Sequence, residues 1–209
     1  MNKPNRIRIL VADDHTIVRM GLVSLLKTEP DIDVVAEADD GEDAVRKALR
    51  HSPDVVIMDL MMPGLDGIGA TRQILAQAPD TRILILTTST VSDDLAHALE
   101  AGALGAINKS SEYAKLLAAL HAVAEGKSSV APEIKRLIAE DPPVPALSPR
   151  QEEIMRSLTR GLSNPDIALE LGISTESVKH YIDLLCDKIG AANRTEAVAI
   201  ALRKHLLKS

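Results

Sequence analysis

Aromatic side chains are almost absent from this sequence, whose 209 residues include two Tyr, no Phe and no Trp. Its cores must therefore be built from aliphatic side chains and methionine. A single cysteine, Cys186, excludes an internal disulfide and a cysteine metal cluster. No run of about 18 apolar residues is present, so no membrane span is predicted. The stretch MNKPNRIRILVADD carries charges inside its first apolar run, unlike a secretory signal. We therefore expect a cytoplasmic protein that does not bind a membrane.

Charge is distributed unevenly along the chain, whose length suits one large domain or two small ones. Residues 1–125 contain 12 Lys and Arg against 19 Asp and Glu, a net charge of −7. Residues 126–209 contain 12 against 11, a net charge of +1. This asymmetry indicates two parts with different chemistry. The second part is close to neutral, so its charge alone gives little support to nucleic-acid binding.

Short apolar runs alternate with amphipathic segments through residue 125. Two of the runs, VVIM and ILIL, are apolar without alternation, which is typical of strands buried on both faces. Five strand–helix units in this order predict an α/β fold over residues 1–126, with a five-stranded parallel sheet covered by helices on both sides. The five runs are Ile7–Val11, Val34–Ala36, Val55–Met58, Ile83–Leu86 and Ala106–Ile107.

A proline-rich stretch, DPPVP at residues 141–145, separates the two parts and is typical of a semi-rigid linker. Together with a short helix favoured over 133–140, it predicts a linker over residues 127–146. Four helix-start signals then predict a separate all-α domain of four helices over residues 147–209, at Ser148, Ser163, Ser174 and Asn193. The turn LGIS joins the second and third helices, which is the helix-turn-helix pattern.

Polar side chains follow four of the predicted strands. In a parallel α/β sheet the carboxyl ends of the strands form one edge, where ligands bind. Three crowded carboxylates repel one another unless a cation joins them, and Mg2+ prefers such oxygen ligands. The lysine amine and the threonine hydroxyl could bind phosphoryl oxygens while one carboxylate accepts the phosphoryl group. The five side chains are Asp13, Asp14, Asp59, Thr87 and Lys109.

Two further signals are given no functional role. The spacing of Gly64, Gly67 and Gly69 does not match a dinucleotide-binding loop, and there is no Walker lysine pattern. The six histidines are scattered, and none has a spacing that is typical of metal ligands.

Several motifs resemble the receiver domain of two-component response regulators: ILVADDH, VVIMDLMMPGLDG, ILILTTST and GAINKS. The segment from LSPRQ through GLSNPDIA to NRTEAV resembles the LuxR-type helix-turn-helix of the NarL/FixJ response-regulator family. The two resemblances cover nearly the whole chain apart from the linker. They imply a flavodoxin-like receiver followed by a DNA-binding domain.

The resemblance also implies roles for matched positions. Asp59 would accept a phosphoryl group from the phosphohistidine of a sensor histidine kinase. Asp13, Asp14 and Asp59, with the backbone carbonyl of Met61, would hold Mg2+. Thr87 and Lys109 would bind the phosphoryl oxygens. The output would be control of transcription by a homodimer on double-stranded DNA with paired half-sites.

Two positions depart from the family pattern. Receivers of this family usually carry an aromatic side chain where this chain has Ala106, so the usual switch element is missing. The third helix of the second domain contains VKHYIDLLCDKIG, whose predicted outer face carries two aspartates where basic or polar residues are usual. The DNA contacts expected from this helix and the next helix start are Thr175, Glu176, Lys179, His180, Asp183 and Arg194.

Three functions compete on these observations. The first is a transcription factor controlled by phosphorylation at Asp59, and the second is a phosphorylation-controlled regulator whose helix-turn-helix domain contacts a protein instead of DNA. The acidic helix face favours the second. The third is an aspartyl-phosphate phosphatase, which commonly has a second acid two residues after the nucleophile. That position is Met61, so we expect no enzyme.

Overall fold

A computed structural model describes residues 6–145 and 147–207 of the chain. The chain divides after Asp141 into two compact units. Within the described residues, no helix is both long and apolar enough to cross a membrane.

The first unit is a doubly wound α/β fold. Its strands all run parallel, in the order β2-β1-β3-β4-β5-β6. The strands are β1 (Ile7–Ala12), β2 (Ile32–Ala38), β3 (Val55–Met58), β4 (Arg82–Thr87), β5 (Gly105–Asn108) and β6 (Ser129–Val130). The helices are α1 (Thr16–Leu26), α2 (Gly41–His51), α3 (Gly67–Gln77), α4 (Ser92–Glu100), α5 (Tyr113–Ala124) and α6 (Pro132–Glu140).

Helices cover both faces of the sheet, because alternate residues of each strand point to opposite sides. On one face, Leu10, Val56 and Ile83 pack in a core with side chains of α2, α3, α4 and α6. On the other face, Ile9 and Ile57 pack with side chains of α1 and α5. Every residue of β3 is buried, as the unbroken apolar run VVIM predicts. The α/β class and the parallel sheet are thus confirmed.

The expected strand number and linker boundary were wrong. A sixth strand, β6, follows α5 and pairs with β5, and the N–H of Ala131 donates to the carbonyl of Ala106 at 2.9 Å. Helix α6 then packs on this unit and not in a linker, because Ile134 is buried in the core that α4 also lines. Two strand residues are too few to produce a readable hydrophobic period, which explains why the sequence did not reveal β6.

Within residues 147–207 the second unit is helical. Its elements are α7 (Pro149–Thr159), α8 (Asn164–Leu171), α9 (Thr175–Ile189) and α10 (Arg194–Arg203). Each begins at its predicted cap, where the side chain of Ser148, Ser163, Ser174 or Asn193 accepts a backbone N–H. The apolar stripe of α9, which includes Val178, Ile182, Leu185 and Cys186, is buried against the other helices. Cys186 is therefore a small buried side chain of this core.

Candidate functional site

The carboxyl ends of four neighbouring strands bring the candidate side chains to one edge of the sheet. Asp13 follows β1 and Asp59 follows β3, while Thr87 ends β4 and Lys109 follows β5. These strands are adjacent in the order β1-β3-β4-β5, so their ends lie side by side. Asp13, Asp59 and Thr87 are each at most 2% exposed. The site is therefore a buried polar edge of an otherwise apolar sheet.

Lys109 joins two of the carboxylates. Its Nζ lies 2.8 Å from Oδ2 of Asp13 and 2.7 Å from Oδ2 of Asp59. The side chains of all three residues are less than a tenth exposed, so water screens these charges weakly. One ammonium beside the carboxylates of Asp13, Asp14 and Asp59 leaves an excess of negative charge at this edge. The cluster therefore retains attraction for a further cation.

The pKa values reflect this burial. Loss of hydration raises the pKa of Asp59 above its ordinary value, and the charge of Asp13 adds to the rise, while Lys109 opposes it. Burial acts to lower the pKa of Lys109, but its bonds to Asp13 and Asp59 outweigh burial and raise the pKa overall. Lys109 is therefore held as a cation against a carboxylate that is costly to ionise.

Asp14 and His15 complete the cluster at its outer side. Nδ1 of His15 lies 2.7 Å from Oδ1 of Asp14 and 3.4 Å from Oδ1 of Asp13. The first contact is not aligned as a hydrogen bond, so Oδ1 of Asp14, an atom without solvent access, has no hydrogen-bond partner among the described residues. One ligand atom each from Asp13, Asp14, His15 and Asp59 lies within 4.8 Å of the others. The spacing of the histidines along the chain gave His15 no role, and its place beside the cluster comes from its position directly after Asp14.

Two residues that the sequence analysis did not select support the loops of the site. Arg19, in α1, donates from its guanidinium to the backbone carbonyl of Asp13, and its Nε lies 3.9 Å from Glu37. Gly67 opens α3 directly beside the backbone of Asp59. A Cβ at Gly67 would lie 2.0 Å from the carbonyl oxygen of Asp59. The second glycine of the motif GLDG therefore permits a close approach of α3 to the backbone of Asp59.

Thr87 and Met61 border the cluster. The hydroxyl of Thr87 accepts a hydrogen bond from the N–H of Ser89 at 2.9 Å, which fixes the start of the loop before α4. The N–H of Met61 lies 3.5 Å from Oδ1 of Asp59. Ala106 is fully buried in the core that includes Ile85 and Ile134. Its methyl group takes the place of the aromatic side chain whose rotation would be coupled to Thr87.

The outer face of α9 carries most of the residues expected to contact DNA. Thr175, Glu176, Lys179, His180 and Asp183 are all exposed. Among the described residues, Lys179 has no ion-pair partner. A groove of about 440 Å³ runs between this face of α9 and the start of α10, and its lining includes Lys179, Asp183 and Asp187. The charge along the groove is therefore mixed.

Arg194 is held inside the second unit. Its Nη1 donates to Oδ1 of Asn164 at 3.0 Å, and its Nη2 donates to the backbone carbonyl of Leu162. The side chain is only partly exposed. The guanidinium therefore ties the start of α10 to the start of α8, and a contact of Arg194 with DNA stays a prediction.

Comparisons with known proteins agree with both halves of this architecture. A family model described as "Response regulator receiver domain" matches residues 9–121. A model described as "Bacterial regulatory proteins, luxR family" matches residues 145–201. A receiver followed by a LuxR-type helix-turn-helix defines a class, the response regulators of two-component systems.

Full-length relatives share this arrangement. The chain is 38% identical over 209 residues to the transcriptional regulatory protein LiaR of Bacillus subtilis, covering 96% of this chain and 99% of the relative. It is 34% identical to the probable transcriptional regulatory protein NarL of Mycobacterium tuberculosis, covering 98% of each chain. This chain belongs to the NarL/FixJ family of response regulators.

Solved structures resemble the chain over nearly its whole length. The response regulator ChrA of a heme-sensing two-component system is 40% identical with a TM-score of 0.59, covering 97% of this chain and 100% of that one. RcsB from Salmonella enterica serovar Typhimurium, bound to promoter DNA in the presence of a phosphomimetic, is 27% identical with a TM-score of 0.69. That comparison covers 96% of this chain and 100% of RcsB.

Proposed function

We propose that this response regulator accepts a phosphoryl group on Asp59 and that phosphorylation controls its dimerisation and its binding to DNA, thereby regulating transcription. The observation that carries the proposal is the buried Asp59 carboxylate, which lies 2.7 Å from the Lys109 ammonium at the carboxyl edge of the sheet. The donor is the phosphohistidine of a sensor histidine kinase. The P–N bond to the kinase histidine breaks as an oxygen of Asp59 forms the new P–O bond.

The residues present fit Mg2+. The carboxylates of Asp13, Asp14 and Asp59 supply oxygen donors, and Oδ1 of Asp14, a solvent-inaccessible atom that accepts no hydrogen bond among the described residues, is the kind of atom that a cation satisfies. Three carboxylates against one ammonium leave about two formal negative charges, which a divalent ion neutralises. We assign the ion to these three side chains and the carbonyl of Met61. When bound, Mg2+ shields the incoming phosphoryl oxygens from the carboxylates.

Lys109 and Thr87 complete the assignment. The ammonium of Lys109 already lies between Asp13 and Asp59, so it can pair with a phosphoryl oxygen without a large movement. The Thr87 hydroxyl accepts from Ser89 and keeps its own hydrogen to donate. Recruitment of that hydroxyl by a phosphoryl oxygen would disturb the loop before α4. The small Ala106 leaves this loop and α4 as the route by which phosphorylation is signalled.

Intact-mass measurement after incubation with acetyl phosphate and Mg2+ tests the acceptor. Wild type should gain one phosphoryl group, and Asp59→Asn should not, since the amide cannot form an acyl phosphate. Asp54→Asn, a change of an acid at the opposite end of β3, is the matched control and should label like wild type. Equal labelling of wild type and Asp59→Asn would refute the assignment.

We assign DNA binding to the outer face of α9, with its N-terminal part in the major groove. Lys179 is exposed and is the best-placed cation to pair with a phosphate. Asp183 and Asp187 repel phosphates, unless Asp183 accepts a hydrogen bond from a cytosine amino group. RcsB bound to DNA is among the structures that the chain resembles. Phosphorylation-driven dimerisation would then supply the affinity that one such subunit lacks.

Fluorescence anisotropy with an operator fragment and with random DNA tests this assignment. Lys179→Ala should weaken binding to both DNAs, because a phosphate contact carries no sequence information. Asp187→Asn should strengthen binding to both, since it removes a repulsive charge. Wild type and Lys179→Ala binding both DNAs equally would contradict the assignment.

A second function is favoured by one observation, the pair of aspartates in the groove beside α9. Asp183 and Asp187 line it together with Lys179. In this alternative the helix-turn-helix domain contacts a protein partner, and phosphorylation at Asp59 still supplies the control. Absence of binding to any genomic fragment, with Asp59 phosphorylated, would favour this alternative over DNA binding.

A further inference from the structure

We infer that His15 is a metal ligand that shifts the selectivity of the phosphorylation site from Mg2+ towards transition metals that bind nitrogen. The inference rests on the proposed function, since it requires a divalent cation at Asp13, Asp14 and Asp59. It adds a ligand that an oxygen-only magnesium site does not have.

The backbone turn after β1 directs His15 towards the cluster. Its N–H donates to Oδ1 of Asp13 at 2.9 Å, which holds the residue against the carboxylates. Its Nδ1 lies 2.7 Å from Oδ1 of Asp14 and 3.4 Å from Oδ1 of Asp13. An imidazole that merely pointed to solvent would not approach two carboxylate oxygens so closely.

The spacing of the donor atoms suits a shared ion. Two ligands on opposite sides of a small divalent cation lie roughly 4.2 Å apart, and neighbouring ligands lie about 3 Å apart. One donor atom each from Asp13, Asp14, His15 and Asp59 lies within 4.8 Å of the others, and Nδ1 of His15 lies 2.7 Å from Oδ1 of Asp14. Small side-chain adjustments are therefore enough for all four to reach one ion.

The nitrogen donor of His15 determines which cation the site binds more tightly. Mg2+ prefers oxygen ligands and gains little from an imidazole, whereas Co2+, Ni2+ and Zn2+ bind imidazole well. The backbone N–H bond to Asp13 and the 2.7 Å contact of Nδ1 with Asp14 hold His15 near the carboxylates, which lowers the entropy lost on binding. His15 should therefore strengthen binding of Co2+ while leaving binding of Mg2+ nearly unchanged.

Calorimetric titrations of the full-length protein with CoCl2 and with MgCl2, at pH 7.5, test the inference. His15→Ala should weaken Co2+ binding about tenfold or more, and should change Mg2+ binding less than about twofold. The visible absorption of bound Co2+ should also differ between the two proteins, because a nitrogen ligand has been lost. The side chain of His15 is 64% exposed, so its removal should leave the fold intact.

Two control variants separate the possible outcomes. His51→Ala removes an imidazole at the end of α2, at the opposite edge of the sheet, and should affect neither metal. Asp14→Asn should weaken both metals, and unchanged Mg2+ affinity in that variant would show that the magnesium site itself is wrong. If Asp14→Asn weakens Mg2+ but His15→Ala weakens both metals equally or neither, the magnesium site stands and the inference about His15 is overturned.

Discussion

Gly67 lies against the backbone of Asp59, so the substitution Gly67→Ala tests whether the site needs this close approach of α3. A Cβ on Gly67 would lie 2.0 Å from the carbonyl oxygen of Asp59 and 2.9 Å from Cα of Leu60. Both neighbours are backbone atoms, so no flexible side chain can move aside. The dihedral angles of Gly67 are not left-handed, and alanine therefore meets only a steric obstacle there.

The expected loss of stability in Gly67→Ala follows from how far the added methyl group must displace its neighbours. Carbon–oxygen contacts of this kind are at least about 3 Å, so α3 and the loop after β3 must separate by roughly 1 Å in Gly67→Ala. Overpacking of this size costs about 1–3 kcal/mol of unfolding free energy. The entropic gain of about 0.5–1 kcal/mol from replacing a helical glycine offsets part of this cost. A shift of about 1 Å at a reacting group can also slow its reaction roughly a hundredfold.

Two measurements on the same variant test this reasoning. Urea unfolding should show Gly67→Ala to be less stable by roughly 1 kcal/mol, the difference between the midpoints of those two ranges. Labelling with acetyl phosphate should be much slower than in wild type. Gly21→Ala is the matched control, because Gly21 lies in α1 with nothing within 4 Å of its Cβ position, and this change should stabilise the protein slightly. Wild-type stability and labelling rate in Gly67→Ala would refute the argument.

Three further predictions concern other parts of the chain. Ser92→Ala removes the hydroxyl that donates to Asp141 at 2.9 Å, so it should cost about 1 kcal/mol and speed hydrogen exchange across α6, measured by mass spectrometry; unchanged exchange would contradict it. Burial raises the pKa of Asp59 in the folded protein above its pKa in the unfolded chain. The protonated carboxyl therefore stabilises the fold at pH values below the unfolded-chain pKa, and this stabilisation is lost as the pH rises through the folded-state pKa. Metal-free Asp59→Asn should therefore be more stable than wild type at pH 7.5, by about 0.5–2 kcal/mol, but not near pH 3.5; urea unfolding at both values checks this, and equal stability at pH 7.5 would refute it. Burial and the charges of Asp183, Asp187 and Glu196 raise the pKa of the Cys186 thiol, so iodoacetamide at pH 8 should label the folded protein far more slowly than the urea-unfolded chain, and equal rates would exclude this.

The sheet and the core of the site could be predicted because they depend on rules that act locally. An unbroken apolar run such as VVIM implies a strand buried on both faces, and parallel strands place their carboxyl ends at one edge. Asp13, Asp59 and Lys109 follow such strands directly, and the first two lie within 2.8 Å of the Lys109 ammonium. Helix starts in the second unit were equally local, since a capping side chain accepts from a backbone N–H two or three residues on.

The features that sequence reasoning missed depend on contacts between distant segments. Whether residues 132–140 form a linker or part of the core depends on Ile134 finding the surface beside α4, and no local pattern encodes that choice. The same applies to Arg194, whose partners Asn164 and Leu162 lie 30 and 32 residues earlier in the chain. His15 was different, because it adjoins Asp14 in the sequence. It was overlooked because a search for histidine–histidine spacing cannot detect one imidazole beside carboxylates.

The two aspartates on the outer face of α9 fit the proposed function once the partners of the second unit's cations are considered. Of the cations that the structure describes there, most are engaged within the unit: Arg150 with Glu153, Arg156 with Glu152, Arg160 with Glu170, Lys188 with Gln151, Arg194 with Asn164 and Lys204 with the carbonyl of Pro142. On the proposed function, few cations per subunit then remain for phosphates. Since each phosphate contact adds both affinity and salt dependence, a single subunit should bind DNA weakly, with a shallow dependence on salt.

Two linked subunits bind with the combined free energy of both half-sites less the cost of dimerisation. A receiver that controls only dimerisation could therefore switch DNA binding between negligible and useful affinity, and an acidic helix face would sharpen that switch by weakening the unphosphorylated monomer.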